Sequence, residues 1–276
     1  MKKIDRLGWA AGRAFDSYGV RVGVRVSEPG ALKRVSEHLP PGWRPARSPV
    51  VSRVYSLIVG GDGPRPGVRR FNLLYGDAVR LARSRESGEV LEAFETDLQL
   101  YVAEMAPRRL FVHAGVVGWR GQAVLIPGRS FTGKTTLVAA LVKAGATYYS
   151  DEYAVLDARG RVHPYARPLG IREHGALQRA TKYPVSTLGG RAGTKPLPVG
   201  LVIVSEYKAG ARWRPRQLSP GKGALAVLAH TVSARRQPEA ALRTLHQFIS
   251  RAPVLKGVRG EVEQVVEFVV KSLGDR

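Results

Sequence analysis

The sequence predicts an α/β chain in two domains. A small α+β unit spans 1–108, and a second unit spans 109–276, built on a glycine-rich loop and finished by a helical C-terminal tail. Three observations carry this reading. The strand-like run "AVLI", Ala123 to Ile126, leads directly into "PGRSFTGKTTL", Pro127 to Leu137, and then into a helical pattern. Upstream, Val90, Phe94, Leu98, Tyr101 and Met105 recur at helical spacing until Pro107 stops them, which sets the domain boundary. The tail carries three helix-period stretches: Lys222 to Ser233, Pro238 to Arg251, and a last one with Val262, Val265, Val266, Val269 and Val270 on one face.

In chain order, "GVRVGVRV", Gly19 to Val26, alternates as a half-buried strand does. Ala31 to Leu39 reads as a short helix ended by "PPG", and Val51 to Val59 as a further strand. "RFNLLYGDAVRLARS" is expected to be a hairpin turning near "YGD". Past the boundary, "LFVHAGVV" and "QAVLIPG" form a hairpin around "GWRG". A helix from Lys134 to Lys143 follows and closes at Gly145. "ATYYS" is the next strand, "EYAVLDARGRVHPYA" a hairpin turning at "ARGR", and "VGLVIVSEY" a buried strand.

With 276 residues, of which 44% are hydrophobic, the chain can bury a sizeable core. It contains no cysteine, which excludes disulfides, thiolate metal sites and a cysteine nucleophile, and fits a reducing cytoplasm. Arg6 and Arg13 interrupt the N-terminal stretch before a signal-peptide core can form, and no apolar run approaches the roughly 18 residues a membrane span requires. A cytoplasmic protein without membrane association is therefore expected; a homo-oligomer is compatible with the sequence. The formal charge is +22, and between Ala158 and Lys222 the acidic residues are Glu173 and Glu206 alone. Such an excess attracts any polyanion, so nucleic acid enters as a partner through non-specific charge only.

The loop places Gly128, Gly133, Lys134 and Thr135 at the G-x-x-x-x-G-K-[ST] spacing. Its glycines let backbone N–H groups curl around a phosphate, and the following helix N-terminus adds positive potential. Gly128, Arg129, Ser130, Phe131, Thr132, Gly133, Lys134, Thr135 and Thr136 are the expected ATP-binding residues, with Lys134 on the β and γ phosphates and the Thr135 hydroxyl on Mg²⁺. Asp151 and Glu152 follow "ATYYS"; at the C-terminal end of such a strand, carboxylates meet the metal and the reacting phosphate. One of this pair is expected to accept the proton of an attacking hydroxyl, and Thr135, Asp151 and Glu152 are the expected metal ligands. A two-residue turn at Trp119–Arg120 would set His113 opposite Ile126, at the entrance to the loop. Arg167 and Arg172 are candidates for stabilising charge on a transferred phosphoryl group. No N-K-x-D signature is present, which argues against a GTPase, and no paired recognition helices suggest a dedicated DNA-binding module.

Taken together, "HAGVV" and "VLIPGRSFTGKTTLVAALVKAGATYYSDEYAVL" resemble the catalytic domain of the HPr serine kinase/phosphorylase family. They resemble more closely the shorter bacterial HPr kinase-like proteins, through Phe111–Ala114, Gly133–Leu137, Ser150–Glu152, Arg167–Leu169, and Thr231 and Val232 followed by Arg235. The resemblance covers about Leu110 to Val254. It implies a P-loop fold of the HPr kinase/PEP carboxykinase-like type, ATP and Mg²⁺ as cofactors, and transfer of a γ-phosphate to a serine hydroxyl of a protein or peptide. HPr-like proteins, ribosomal peptide precursors and free serine are the acceptors it suggests. It places Asp151, His113, Lys134 and Arg172 in catalysis, with Asp151 as the base or base-positioning acid, His113 beside it and Glu152 supporting the metal. Where the true HPr kinases have "MEIRG", this chain has "LGIRE", with Gly170 in the place of the glutamate. The alternative is a non-catalytic ATP-binding sensor that engages an acidic or nucleic-acid partner.

Overall fold

The computed structural model describes residues 3–60, 70–129, 132–171 and 181–273. The chain is mixed α/β and divides into two compact units, Met1–Pro107 and Arg108–Arg276. Among the described residues, no helix is long and apolar enough to cross a membrane.

The first unit is a six-stranded sheet with two helices. Strands β1 (Ala11–Ser17) and β2 (Val20–Val26) form a hairpin whose turn residues, Tyr18 and Gly19, both take positive φ. Helix α1 (Ala31–Ser36), β3 (Arg44–Pro45), β4 (Arg53–Ile58), β5 (Asn72–Gly76), β6 (Val79–Ser84) and α2 (Ser87–Met105) follow. The strand order is β3-β1-β2-β4-β5-β6, and β2 pairs with β4 in parallel. The apolar stripe of α2 buries Val90, Leu91, Phe94, Leu98 and Val102, each such side chain contributing roughly 1.5–3 kcal/mol. Phe94 meets Tyr55 of β4 edge-on, with ring centroids 5.1 Å apart. The helix stops at Ala106 because Pro107 disfavours the α conformation before it. Strand β1 has no counterpart in the sequence reading: in "AGRAFDS" only Phe15 and Ser17 are buried, so its alternation is faint.

The second unit begins with β7 (Leu110–Trp119) and β8 (Gln122–Pro127), followed by α3 (Lys134–Lys143), β9 (Thr147–Ser150), β10 (Tyr153–Leu156) and β11 (Arg161–His163). A two-stranded ribbon, β12 (Leu169–Ile171) and β13 (Thr181–Tyr183), precedes β14 (Leu197–Tyr207) and β15 (Arg216–Gln217). The chain ends with α4 (Pro220–Leu228), α5 (Pro238–Ile249), β16 (Val254–Arg259) and α6 (Glu263–Ser272). The main sheet runs β11-β10-β7-β8-β14-β16-β15, with β9 also on β7.

Helices cover both faces of this sheet. Val124 and Ile126 of β8 and Leu201 and Ile203 of β14 join Leu137, Val138 and Leu141 of α3 and Val265 and Val269 of α6 in one core. On the other face, Ala123, Leu125 and Val202 pack with Val227 of α4 and Leu245, Phe248 and Ile249 of α5. Cover on both faces explains why β8 and β14 read as continuous apolar runs instead of alternating ones.

The C-terminal region is not helical throughout. Val254–Arg259 adds a strand in parallel beside β14, and the helix expected from Lys222 to Ser233 ends at Leu228, with a 3-10 turn at Val232–Arg235. The apolar content of "VLKGVR" is too slight to stand out, since Lys256 and Val258 are exposed and the segment gains its pairing only from a distant strand.

Candidate active site

Strand β7 gathers the site through its main chain. Its hairpin with β8 turns at Arg120 and Gly121, which take φ of 45° and 79°. Two successive positive φ values define the tight turn that matches strand twist, and glycine supplies one of them freely. Trp119 thus pairs with Gln122, and Gly115, not His113, lies opposite Ile126. This corrects the expected register: His113 sits two residues further along, and its carbonyl accepts a hydrogen bond from the Gly128 N–H at 3.2 Å.

On the opposite edge of β7, β9 and β10 lie end to end, both antiparallel to it. Asp151 and Glu152 occupy the break between them, so they are held within a strand edge and do not overhang a free end. The Ala114 N–H donates to the Glu152 carbonyl at 3.1 Å. The Ser150 hydroxyl accepts from the Glu152 and Tyr153 amides at 3.1 and 3.0 Å, which replaces the ladder bonds that the break forfeits. Residues 113–115 therefore carry the start of the glycine-rich loop on one side and the carboxylate pair on the other.

Ser130 and Phe131 of the loop, and Arg172, lie outside the described residues. Of the rest, Gly133 takes φ of 75° at the N-terminus of α3, a conformation that favours glycine. The Lys134 ammonium donates to the Arg129 carbonyl at 2.6 Å, and the Thr132 hydroxyl donates to the same oxygen at 2.8 Å. The Thr135 hydroxyl donates to Asp151 Oδ2 at 3.2 Å. Thr136, one residue on around the helix, is exposed.

Asp151 is 7% exposed, and both of its oxygens are engaged: Oδ1 lies 2.8 Å from the Tyr148 hydroxyl, which is itself 2.9 Å from the Arg167 carbonyl. Burial raises the Asp151 pKa, against the opposing hydrogen bonds of Tyr148, Thr135 and the Gly170 amide. The Glu152 side chain is 50% exposed. Loss of solvation around its carboxyl raises its pKa, the Asp151 charge raises it further, and Lys134 and Lys182 offset part of this. Burial lowers the Lys134 pKa, with the two carboxylates opposing. His113 is lowered to about 4, by burial first and then by the Lys134 and His230 charges, so its imidazole is neutral at pH 7. Its Nε2 lies 3.8 Å from Glu152 Oε1, too far for a direct hydrogen bond. The Arg167 guanidinium is lowered to about 10 by burial.

Lys134, Thr135, Asp151, Glu152 and His113 thus converge. Tyr148, His230 and Arg259 join them without having been singled out in the sequence. Tyr148 stands three residues before Asp151 and reads there as an ordinary strand aromatic. The His230 carbonyl accepts from the His113 N–H at 2.8 Å, and burial followed by the Lys134 and Arg129 charges lowers its imidazole pKa. Its adjacency to Thr231 and Val232 was the available signal. Arg259 reaches the loop from 126 residues away, at the end of the unexpected strand, and had no local signal at all.

The arrangement suits a phosphate ligand with a divalent cation. Among the described residues, no three His, Asp or Glu side chains group as a metal cage. Thr135 and Asp151 offer two oxygens 3.2 Å apart, the sparse protein ligation that Mg²⁺ accepts when phosphates and water complete its shell. No family model matches this chain, and no curated protein matches it.

Proposed function

We propose that this chain is an ATP- and Mg²⁺-dependent kinase of the HPr kinase-like type, which transfers the γ-phosphate to a serine hydroxyl of a protein or peptide. One observation carries the reading: Asp151 accepts a hydrogen bond from the Thr135 hydroxyl at the mouth of the G-x-x-x-x-G-K-T loop. A metal held between a P-loop hydroxyl and a strand carboxylate is the arrangement phosphoryl transfer uses.

ATP would supply the phosphoryl group, and Mg²⁺ would neutralise charge on it. Lys134 would leave the Arg129 carbonyl and bind phosphate oxygens instead, and the Gly133 and Lys134 amides would line the cradle. The geometry favours exchanging the roles expected of the two carboxylates. Asp151, buried and fully engaged, suits holding the metal with Thr135. Glu152, half exposed and with a raised pKa, suits accepting the serine proton as the hydroxyl oxygen bonds to phosphorus and ADP leaves. Neutral His113, 3.8 Å from Glu152, would orient the incoming hydroxyl as a hydrogen-bond partner and not as a cation.

Transfer from γ-labelled ATP to HPr, a serine peptide pool or free serine tests the reading. Label is expected in one of these acceptors with wild-type protein, and Glu152→Gln is expected to lower kcat at least a hundredfold with little change in ATP affinity. Binding of ATP without transfer to any acceptor would favour the second reading, a non-catalytic sensor. That reading draws on the closed loop, whose lysine is satisfied by its own backbone until a nucleotide replaces it.

A further inference from the structure

Arg259, the last residue of β16, is 2% exposed. Its Nη2 donates to the Thr132 carbonyl at 3.2 Å and to the Gly133 carbonyl at 3.0 Å, and its Nη1 donates to the Gly260 carbonyl at 3.1 Å. The Tyr207 ring centroid lies 5.5 Å from the guanidinium carbon. Among the described residues, the buried Nε has no hydrogen-bond partner. Among the described residues, no carboxylate lies within ion-pair distance of it.

Two physical consequences follow. A trans peptide is planar, with its C=O and N–H pointing oppositely. With the Thr132 and Gly133 carbonyls turned toward Arg259, the Gly133 and Lys134 N–H groups point away from it, out of the N-terminus of α3. These are the amides a phosphate would meet. Second, a buried cation held by carbonyl dipoles and one aromatic face, with the Glu261 carboxylate acting on it only from beyond ion-pair distance, keeps part of its desolvation cost, and that cost falls when an anion settles nearby.

We propose that Arg259 is the positioning residue of the phosphate loop: it fixes the direction of the Gly133 and Lys134 amides, and its charge is balanced by the phosphate anion the loop holds. The proposal rests on the reading of the loop as a nucleotide site. It also accounts for Gly133 beyond its backbone angle, because a Cβ there would run into the Arg259 Nη2.

The test measures binding of Mg-ATP and of inorganic pyrophosphate to the full chain by calorimetry, together with the rise in thermal midpoint each produces. Arg259→Met and Arg259→Lys are compared with wild type. Arg243→Met, which removes an exposed charge paired with Glu239, serves as the charge-matched control. Arg259→Met is expected to weaken both ligands at least tenfold and to lose most of the pyrophosphate-induced shift. Arg259→Lys, which keeps the charge but not the fork, should fall between, and the control should match wild type. The KM for ATP should rise more than kcat falls, which a generally loosened fold would not produce. Wild-type affinity and shift in Arg259→Lys and Arg259→Met would overturn the inference alone. If Arg259→Met does not fold, Arg259→Lys decides by the same criterion. Absence of binding of either ligand to wild type would overturn the nucleotide reading, and the inference with it.

Discussion

Lys134 is the residue on which the site's opposing demands meet. Its ammonium is buried, makes no ion pair with a carboxylate among the described residues, and closes on a backbone carbonyl of its own loop. Replacing it with alanine should weaken Mg-ATP binding at least tenfold, about 1.4 kcal/mol, read by calorimetry. Tyr148 makes a different demand. Its single hydroxyl proton faces two acceptors, Asp151 Oδ1 and the Arg167 carbonyl, and Tyr148→Phe takes the hydroxyl away from the buried Asp151 carboxylate. A loss of about 1–3 kcal/mol in urea unfolding is expected. His113 supplies a pH dependence. The folded chain keeps its imidazole neutral down to about 4, whereas an unfolded chain protonates it near 6.5. Its contribution to stability is therefore complete above 6.5 and lost as the pH falls from there to about 4. The thermal midpoint of wild type should drop more steeply across that window than that of His113→Gln; parallel curves would refute the assignment.

At the scale of elements, the site depends on a break in a strand. The Ser150 hydroxyl accepts two amides where β9 gives way to β10, and this holds Asp151 and Glu152 toward the loop. Ser150→Ala should cost about 1–2 kcal/mol and lower kcat more than it raises the KM for ATP, since the loop keeps its own contacts. The elements differ in how plainly the sequence announces them. The β8–loop–α3 run is readable because its signals are local: four apolar residues, a fixed glycine spacing, then helical periodicity. The two-residue β7–β8 turn was recognisable in kind but not in register, because "GWRG" accommodates two placements and only the positive φ of Arg120 and Gly121 selects one. Strand β16 was invisible for the opposite reason. Its partners, β14 and β15, are remote in sequence, and its own composition does not distinguish it from a linker. Arg259 was lost with it.

For the whole molecule, the charge of +22 predicts binding to polyanions that has nothing to do with the site. Affinity for a random DNA duplex should fall steeply on a log–log plot against salt and remain the same in Lys134→Ala. Mg-ATP affinity should depend on salt far less and collapse in that variant. A titration of both ligands at two salt concentrations separates the two modes, and a DNA affinity that tracks Lys134 would contradict the separation. Composition made this charge legible from the outset, and the burial of β14 followed from its continuous apolar run. What sequence could not supply was the convergence of Tyr148, His230 and Arg259, because tertiary pairing brings them together and none carries a spacing of its own.

The contacts through which β7 holds Gly128 on one edge and Glu152 on the other are made by backbone atoms. The main-chain spacing at 113, 128 and 152 is therefore set by the backbone, while Asp151 adds side-chain bonds to Thr135 and Tyr148. A scaffold of this kind can exchange the groups at 113 and 152 one at a time without losing their spacing, so the same frame is open to redesign toward other acceptors at those two positions.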